Sequence, residues 1–244
     1  MKIEYYAPSY KRPQKSITQI NYPFIKLVVK ESEVEDYLQN GNDCISVPDN
    51  AQGNLCRIRN YILDNISAAD CTILFDDDCS GIYRWQNRRK MLLQEEELRE
   101  FCEHHTILCN EFGFKLWGIN CVTDKGAYRE HTPFGTLQYI GGPFQAHIKN
   151  EIRYDEELPL KEDYDITLQH IKKYGGCLRV NYACYDVKQA EQEGGCATYR
   201  NIQKEIEQFN LLQKKWGSRI IRQDKKSKRS FDFNPILKLP HKGV

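Results

Sequence analysis

No run of 18 consecutive apolar residues occurs in this 244-residue chain, so the sequence offers no helix able to cross a bilayer. The N-terminus lacks the apolar stretch of a secretory leader and runs straight into strand-like sequence, which predicts a cytoplasmic protein. GxxxxGK followed by Ser or Thr is missing, which excludes a P-loop NTPase. GxGxxG after a strand is also missing, and with it support for a dinucleotide Rossmann site. The absence of GxSxG argues against a nucleophile-elbow hydrolase. No CxxC or HExxH spacing organises the ten cysteines and six histidines. Most cysteines sit in apolar runs such as Cys71-Thr72-Ile73-Leu74, as expected of free buried thiols in a reducing compartment. Net charge is also nearly absent, with 35 basic and 34 acidic residues, which excludes a molecule basic throughout.

That balance conceals a segregation of charge. Residues 214–229 hold eight basic residues and one acid, a local +7 that leaves −6 for the rest. Such a segment would bind nucleic-acid phosphates without sequence preference, with Trp216 and Phe231 nearby to stack on unpaired bases. The alternative is a solvated tail.

Residues 3–6, 24–29, Cys44–Val47 and Cys71–Phe75 read as strands, and residues 31–39 and 55–66 carry helical composition or spacing. This alternation predicts βαβ units and a largely parallel sheet. The ligand crevice of such a sheet lies at the carboxyl ends of its strands. Pro8-Ser9-Tyr10, Pro48-Asp49-Asn50 and Asp76-Asp77-Asp78 all fall there. Further on, residues 82–105 read as one long charged helix, 115–123 as a strand and 124–133 as a polar loop. Residues 136–140 and 144–148 read as a hairpin across Gly141-Gly142-Pro143. Residues 160–174 read as a helix ended by Gly175-Gly176, 178–182 as a strand and 198–216 as a final helix. The expected organisation is a catalytic domain over residues 1–210 and a basic extension over 211–244, packed on or flanking it.

Three adjacent acids directly after an apolar strand are the sharpest chemical signal. Carboxylates at i and i+2 of an extended segment point the same way, so Asp76 and Asp78 suit one hard cation, Mg²⁺ or Mn²⁺, completed by substrate phosphates. The alternative is a solvated acidic turn. Arg57 and Asn60 share one helix face at i, i+3, and with Arg59 they suit a diphosphate or ribose, though an ordinary helix surface has the same pattern. In Pro8-Ser9-Tyr10-Lys11-Arg12-Pro13 the prolines stiffen a loop in which Tyr10 can stack on a nucleotide base. Glu162 and Asp163 open a helix, as capping acids or as a general base. Tyr128, Arg129 and His131 suit a lid over a donor, or an ordinary surface loop.

Taken together, residues 6–13, Arg59-Asn60, residues 73–78 and residues 153–165 resemble the TET-associated glycosyltransferases, a group of A-type fold found in phages and linked to modification of hydroxymethylated pyrimidines in DNA. The likeness covers roughly residues 3–200. It implies an α/β fold with a mostly parallel central sheet flanked by helices and a small antiparallel part. It also implies a nucleotide-sugar donor, a UDP-sugar favoured, a divalent metal and sugar transfer to a hydroxyl of DNA. Asp76 and Asp78 map onto the metal positions. Pro8, Ser9, Tyr10, Arg12, Asp49, Arg57, Arg59, Asn60, Asp76 and Asp77 are the donor-binding candidates. Asp163, then Glu162, is the base of a direct, inverting displacement. A further metal ligand would come from His147, Asn181 or His241. Cys79 after the acid run departs from many members. Rival readings are transfer to a glycan, lipid or protein, and an inactive sugar-nucleotide or nucleic-acid binding module. No protein partner is called for.

Overall fold

The structure, a computed structural model, describes residues 1–87, 89–124, 128, 130–187, 195–224 and 233–239. In chain order the first half runs β1 (Ile3–Pro8), α1 (Ile17–Asn21), β2 (Lys26–Lys30), α2 (Val34–Gln39), β3 (Cys44–Val47), α3 (Leu55–Tyr61) and β4 (Cys71–Phe75). The second half runs β5 (Cys79–Gln86), β6 (Arg89–Leu92), α4 (Glu95–Glu111), β7 (Leu116–Asn120), β8 (Phe134–Gly135), β9 (Phe144–Ile148), α5 (Glu162–Tyr174), β10 (Leu178–Val187), α6 (Ile202–Trp216), β11 (Ile221–Gln223) and β12 (Pro235–Leu237).

The ten-stranded sheet has the order β3-β2-β1-β4-β9-β7-β10-β5-β6, with β8 beside β10. Strands β3, β2, β1 and β4 form a parallel block. Against it β9 runs antiparallel to both β4 and β7. Across the whole sheet seven strands run one way, and β11 and β12 form a separate antiparallel pair. This is the α/β architecture expected, a mostly parallel sheet with a small antiparallel part. The central strands are continuous apolar runs because helices cover both faces. Phe75, Trp117, Phe144 and Leu178 pack on one side with α4, and Leu74, Ile140 and Ile166 on the other with α3 and α5. A smaller cluster of Leu158, Leu168, Phe209, Leu212 and Ile221 joins α5 to α6.

Two expectations are corrected. Residues 82–105 are not one helix: β5 and β6 form an antiparallel hairpin, and α4 begins at Glu95. The turn has Asn87 at φ 50°, a left-handed conformation that Asn tolerates. Residues 136–148 are not a hairpin either. Every residue of β9 is buried, and inserting it between β4 and β7 satisfies backbone groups on both of its edges. Helix α6 runs through residues 210 and 211, and its Phe209 and Leu212 bury together.

Candidate active site

The strand ends of β1 and β4 open on a crevice of ≈ 1780 Å³. At its floor the acid turn after β4 is gripped by the first turn of α1. Ser16 Oγ donates to the Asp77 carbonyl at 2.7 Å and Thr18 Oγ1 to the Asp76 carbonyl at 2.7 Å. Thr18 Oγ1 also accepts from the Cys79 N–H at 2.9 Å. Asp76 N–H donates to the Pro143 carbonyl at 3.2 Å. Backbone bonds on both sides thus fix the turn, so the direction of its carboxylates is set by the fold.

Each acid then has a different environment. Asp77 Oδ1 pairs with Arg12 Nη1 at 2.8 Å, and Asp77 Oδ2 accepts from the Ser9 hydroxyl. Both Asp77 oxygens therefore tie down the loop of residues 8–13. Asp76 Oδ1 accepts from Arg59 Nη2 at 3.0 Å. Asp78 Oδ2 lies 3.7 Å from Arg12, while Asp78 Oδ1 is buried with no hydrogen-bond partner among the described residues. Burial, with Asp76 and Asp77 adding, pushes the Asp78 carboxyl up to about 7. Burial raises Asp76 too, against the pull of Arg59.

Glu162 and Asp163 lie at the first turn of α5, facing the same crevice. Arg59 Nη1 reaches Glu162 Oε1 at 3.3 Å, so one fully buried guanidinium spans the acid turn and the helix start. Burial, reinforced by Asp163, pushes Glu162 up to about 8. Asp163 accepts from the Tyr139 hydroxyl, from Gly142 N–H at 3.4 Å and from Tyr164 N–H at 2.9 Å. The glycine loop runs close over these groups. A Cβ at Gly141 would lie 2.2 Å from the Tyr185 hydroxyl, which only glycine avoids without displacing it.

Among the described residues eight carboxyl groups but only three cations line the crevice. A diphosphate entering alone would meet charge of its own sign. The donor set fits a hard divalent cation: carboxylates on Asp76 and Asp78, one buried oxygen left unpaired, and space for phosphate oxygens. No cluster of three His, Cys, Asp or Glu exists among the described residues, so the chain would supply only part of the coordination. His147 is not at this site. It pairs with Thr72 near the start of β4, is buried and bonds Tyr154 Oη at 2.8 Å. Asn181 bonds Arg179 and the Thr132 carbonyl, away from the crevice lining. His241 lies outside the described residues.

The structure gathers Pro8, Ser9, Tyr10, Arg12, Asp49, Asp76, Asp77, Asp78, Glu162 and Asp163 around the one cavity. Arg57 and Asn60 do not join them. Arg57 Nε pairs with Glu156 at 2.9 Å on the exterior. Asn60 donates to the Tyr154 carbonyl and accepts from the Tyr154 N–H, at 2.9 and 2.8 Å. Both residues brace the segment that leads to Glu162, which explains their shared helix face without a ligand. Trp216 is no free stacking surface, since its Nε1 donates to Asp165 at 2.7 Å and its ring packs in the small cluster. Lys215 is likewise spent on Asp155 and Asp165. Residues 225–229, Phe231 and Arg129 lie outside the described residues, and neither Tyr128 nor His131 lines the crevice.

Lys30, Tyr139, Tyr185 and Arg200 are among the lining residues that no motif announced. Tyr164 was announced only by its place beside Asp163. Its ring stacks on Tyr139 with centroids 4.3 Å apart. Behind the crevice, the buried Lys161 ammonium pairs with Glu205 and holds α6 against the start of α5.

No protein-family profile and no curated protein matches this chain. In fold it is similar to S. aureus TarS 1-349, with TM-score 0.47, 15% identity, and coverage of 76% of this chain and 59% of that one. It is similar also to S. aureus TarS 1-349 in complex with UDP, with TM-score 0.44, 17% identity, and coverage of 74% and 57%. A CMP:2-keto-3-deoxy-manno-octonic acid synthetase complexed with CTP gives TM-score 0.39, 9% identity, and coverage of 75% and 89%. The chain spans less than two thirds of the TarS structures. Likenesses at these scores assign no activity, and the site residues must carry the reading. Among the described residues no helix is long and apolar enough to cross a membrane.

Proposed function

We propose that the chain is a metal-dependent glycosyltransferase that moves a sugar from a nucleotide-sugar donor, a UDP-sugar in the first instance, to a hydroxyl acceptor with inversion. One observation supports this above the others: a fully buried Arg59 ties the acid turn after β4 to the acid pair opening α5, across one crevice. Metal-holding acids and a base must face each other across a donor, and here both sets share one cation.

Asp76 and Asp78 would hold Mg²⁺ or Mn²⁺, which when bound offsets charge developing on a departing diphosphate. Tyr10 offers a ring to the nucleotide base, with Lys30 Nζ 5.5 Å from its centroid. Asp163, aimed by Tyr139 and two backbone N–H groups, takes the proton of the attacking hydroxyl. The acceptor we assign is a hydroxymethylated pyrimidine in DNA, on the resemblance to TET-associated glycosyltransferases; an extruded nucleotide would bring its hydroxymethyl group within reach.

The test is incubation with hydroxymethylated DNA, Mn²⁺ and a panel of sugar nucleotides, followed by mass spectrometry of the nucleosides and NMR of the new linkage. A hexosylated nucleoside with inverted anomeric configuration supports the reading. Retention at the anomeric carbon would overturn the role of Asp163.

A further inference from the structure

A second cavity of ≈ 460 Å³ lies beside the crevice, between α5, residues 137–139, β10 and the segment of β12. Tyr139 and Tyr164 line both spaces, so their stacked rings form the partition. The two sides carry opposite charge. The crevice is rich in carboxyl groups, whereas the second cavity is lined by Arg179 and Lys238 and, among the described residues, by no acid.

Arg179 is the unusual member. It projects from β10 and is largely buried, yet no carboxylate among the described residues pairs with it. Its Nε donates to the neutral Asn181 amide oxygen at 2.8 Å. The titratable groups that act on it are thiols and a phenol, Cys121, Cys177 and Tyr185, which burial raises above their ordinary values and so keeps neutral. A half-desolvated guanidinium without a counter-ion is costly unless an anion completes it. Lys238, exposed on the opposite wall, adds a second cation.

We infer that this cavity is an anion subsite that holds a phosphate of the acceptor, placing the acceptor hydroxyl across the tyrosine partition beside Asp163. A planar guanidinium fork matches phosphate oxygens two at a time, and a lysine on the facing wall adds a point charge. The two tyrosine rings give a sugar or base attached to that phosphate a face to lie on. The partition is thin, because Tyr139 lines the cavity while its hydroxyl bonds Asp163. This assignment rests on the transferase reading, and the phosphate can belong to a nucleic-acid strand or to a small phosphomonoester.

The experiment uses the full chain and three probes: a fluorescent thymidine pentanucleotide, the same pentamer with neutral methylphosphonate linkages, and inorganic phosphate as competitor. Variants are R179Q, R179K and K238A. UDP with Mn²⁺ is followed separately by thermal shift in each variant. Expected is binding of the charged pentamer, with R179Q weakening it roughly tenfold or more, as loss of a charged hydrogen bond implies. R179K restores part of that binding. K238A, an exposed change that leaves folding intact, lowers the salt slope of log K by about 0.7, one phosphate contact on a single strand. UDP–Mn²⁺ stabilisation stays the same in all three. Inorganic phosphate retained by the unaltered chain and lost in R179Q, with no pentamer binding, supports the subsite and assigns it to a phosphomonoester. Pentamer and phosphate binding unchanged in both R179Q and K238A, or equal binding of the neutral pentamer, overturns the subsite. Absence of UDP–Mn²⁺ stabilisation in the unaltered chain would instead sink the donor reading and with it the acceptor role of the cavity.

Discussion

Arg59 Nη2 lies 3.0 Å from Asp76 Oδ1, although the two residues sit on different elements, one on α3 and one past the end of β4. The same guanidinium contacts Glu162 and the Gly142 carbonyl. It has no exposed side-chain surface. A buried cation among two acids and a carbonyl is costly to remove, because the acids stay behind without it.

R59M should therefore destabilise the chain by about 3 kcal/mol or more, read by urea unfolding. R59K should recover only part of the loss, since an ammonium has no fork to span Asp76 and Glu162 together. Both variants should also lose UDP–Mn²⁺ stabilisation. An R59M chain as stable as the parent would show that the pair contributes little.

The raised carboxyls predict an inverted pH dependence. Asp78 is pushed up to about 7 from 3.8, and Glu162 up to about 8 from 4.5. Between the ordinary and the raised value the native state holds more protons than the unfolded state. Stability contributed by these groups then falls as pH rises. Below pH 6.5 the buried His105, His147 and His170, whose burial lowers them, pull the other way; above it the ligand-free chain should lose stability towards pH 8, by on the order of 1 kcal/mol per pH unit for each raised carboxyl. D78N should flatten the part of the slope below 7, and E162Q the part reaching 8. Added Mn²⁺ should stabilise the parent more at pH 8 than at pH 6, since a cation needs ionised ligands. Chemical denaturation at stepped pH reads all of these, and a stability that climbs from pH 6.5 to 8 would contradict them.

Arg57 and Asn60 separate a tether from an ornament. Asn60 makes two hydrogen bonds to the Tyr154 backbone, in the segment that aims α5. N60A should cost roughly 1–3 kcal/mol, and should lower turnover through misplacement of Asp163. Arg57 meets Glu156 in the open, with both side chains more than two-fifths exposed. R57A should change stability by less than about 1 kcal/mol. Equal effects of the two variants would remove the distinction.

Much of the parallel block was legible because a strand buried on both faces must be apolar throughout. Cys71–Phe75 is such a run, and the aspartates after it mark where burial ends. The hairpin of β5 and β6 was not legible in the same way. Arg84, Arg89 and Lys90 give that stretch a charge density resembling the helix that follows, and only the β-branched and aromatic alternation around Ile82-Tyr83-Arg84-Trp85 betrays it. Asp76, Asp78, Glu162 and Asp163 could be found because acids at strand ends and helix starts are conspicuous. Arg59 could be singled out for a diphosphate, but its burial between the two acid sets is decided by packing. Tyr139 and Arg200 come from segments whose spacing says nothing about their destination, since the packing of β9 and α6 decides it. His147 misled for the opposite reason. A histidine on a strand invites a ligand role, but its rung opposite Thr72 sits away from the crevice end of β4.

The last prediction concerns which acid takes the proton. Asp163 has three hydrogen-bond donors fixing its direction, whereas Glu162 is paired with Arg59 and burial pushes it up to about 8. D163N should keep UDP–Mn²⁺ stabilisation and lose transfer by roughly 10³-fold, within the range of a removed general base. Y139F deletes one of the three donors and leaves the backbone pair. It should lower kcat by about tenfold with donor KM unchanged, as expected of a residue that positions the base and does not replace it. If Glu162 were the base, the rate would rise through pH 8 with the ionisation of that group, and E162Q would abolish the limb and the activity together. Rate profiles of the parent, D163N and E162Q on one acceptor decide between the two carboxylates, because only the true base takes both the limb and the turnover away with it.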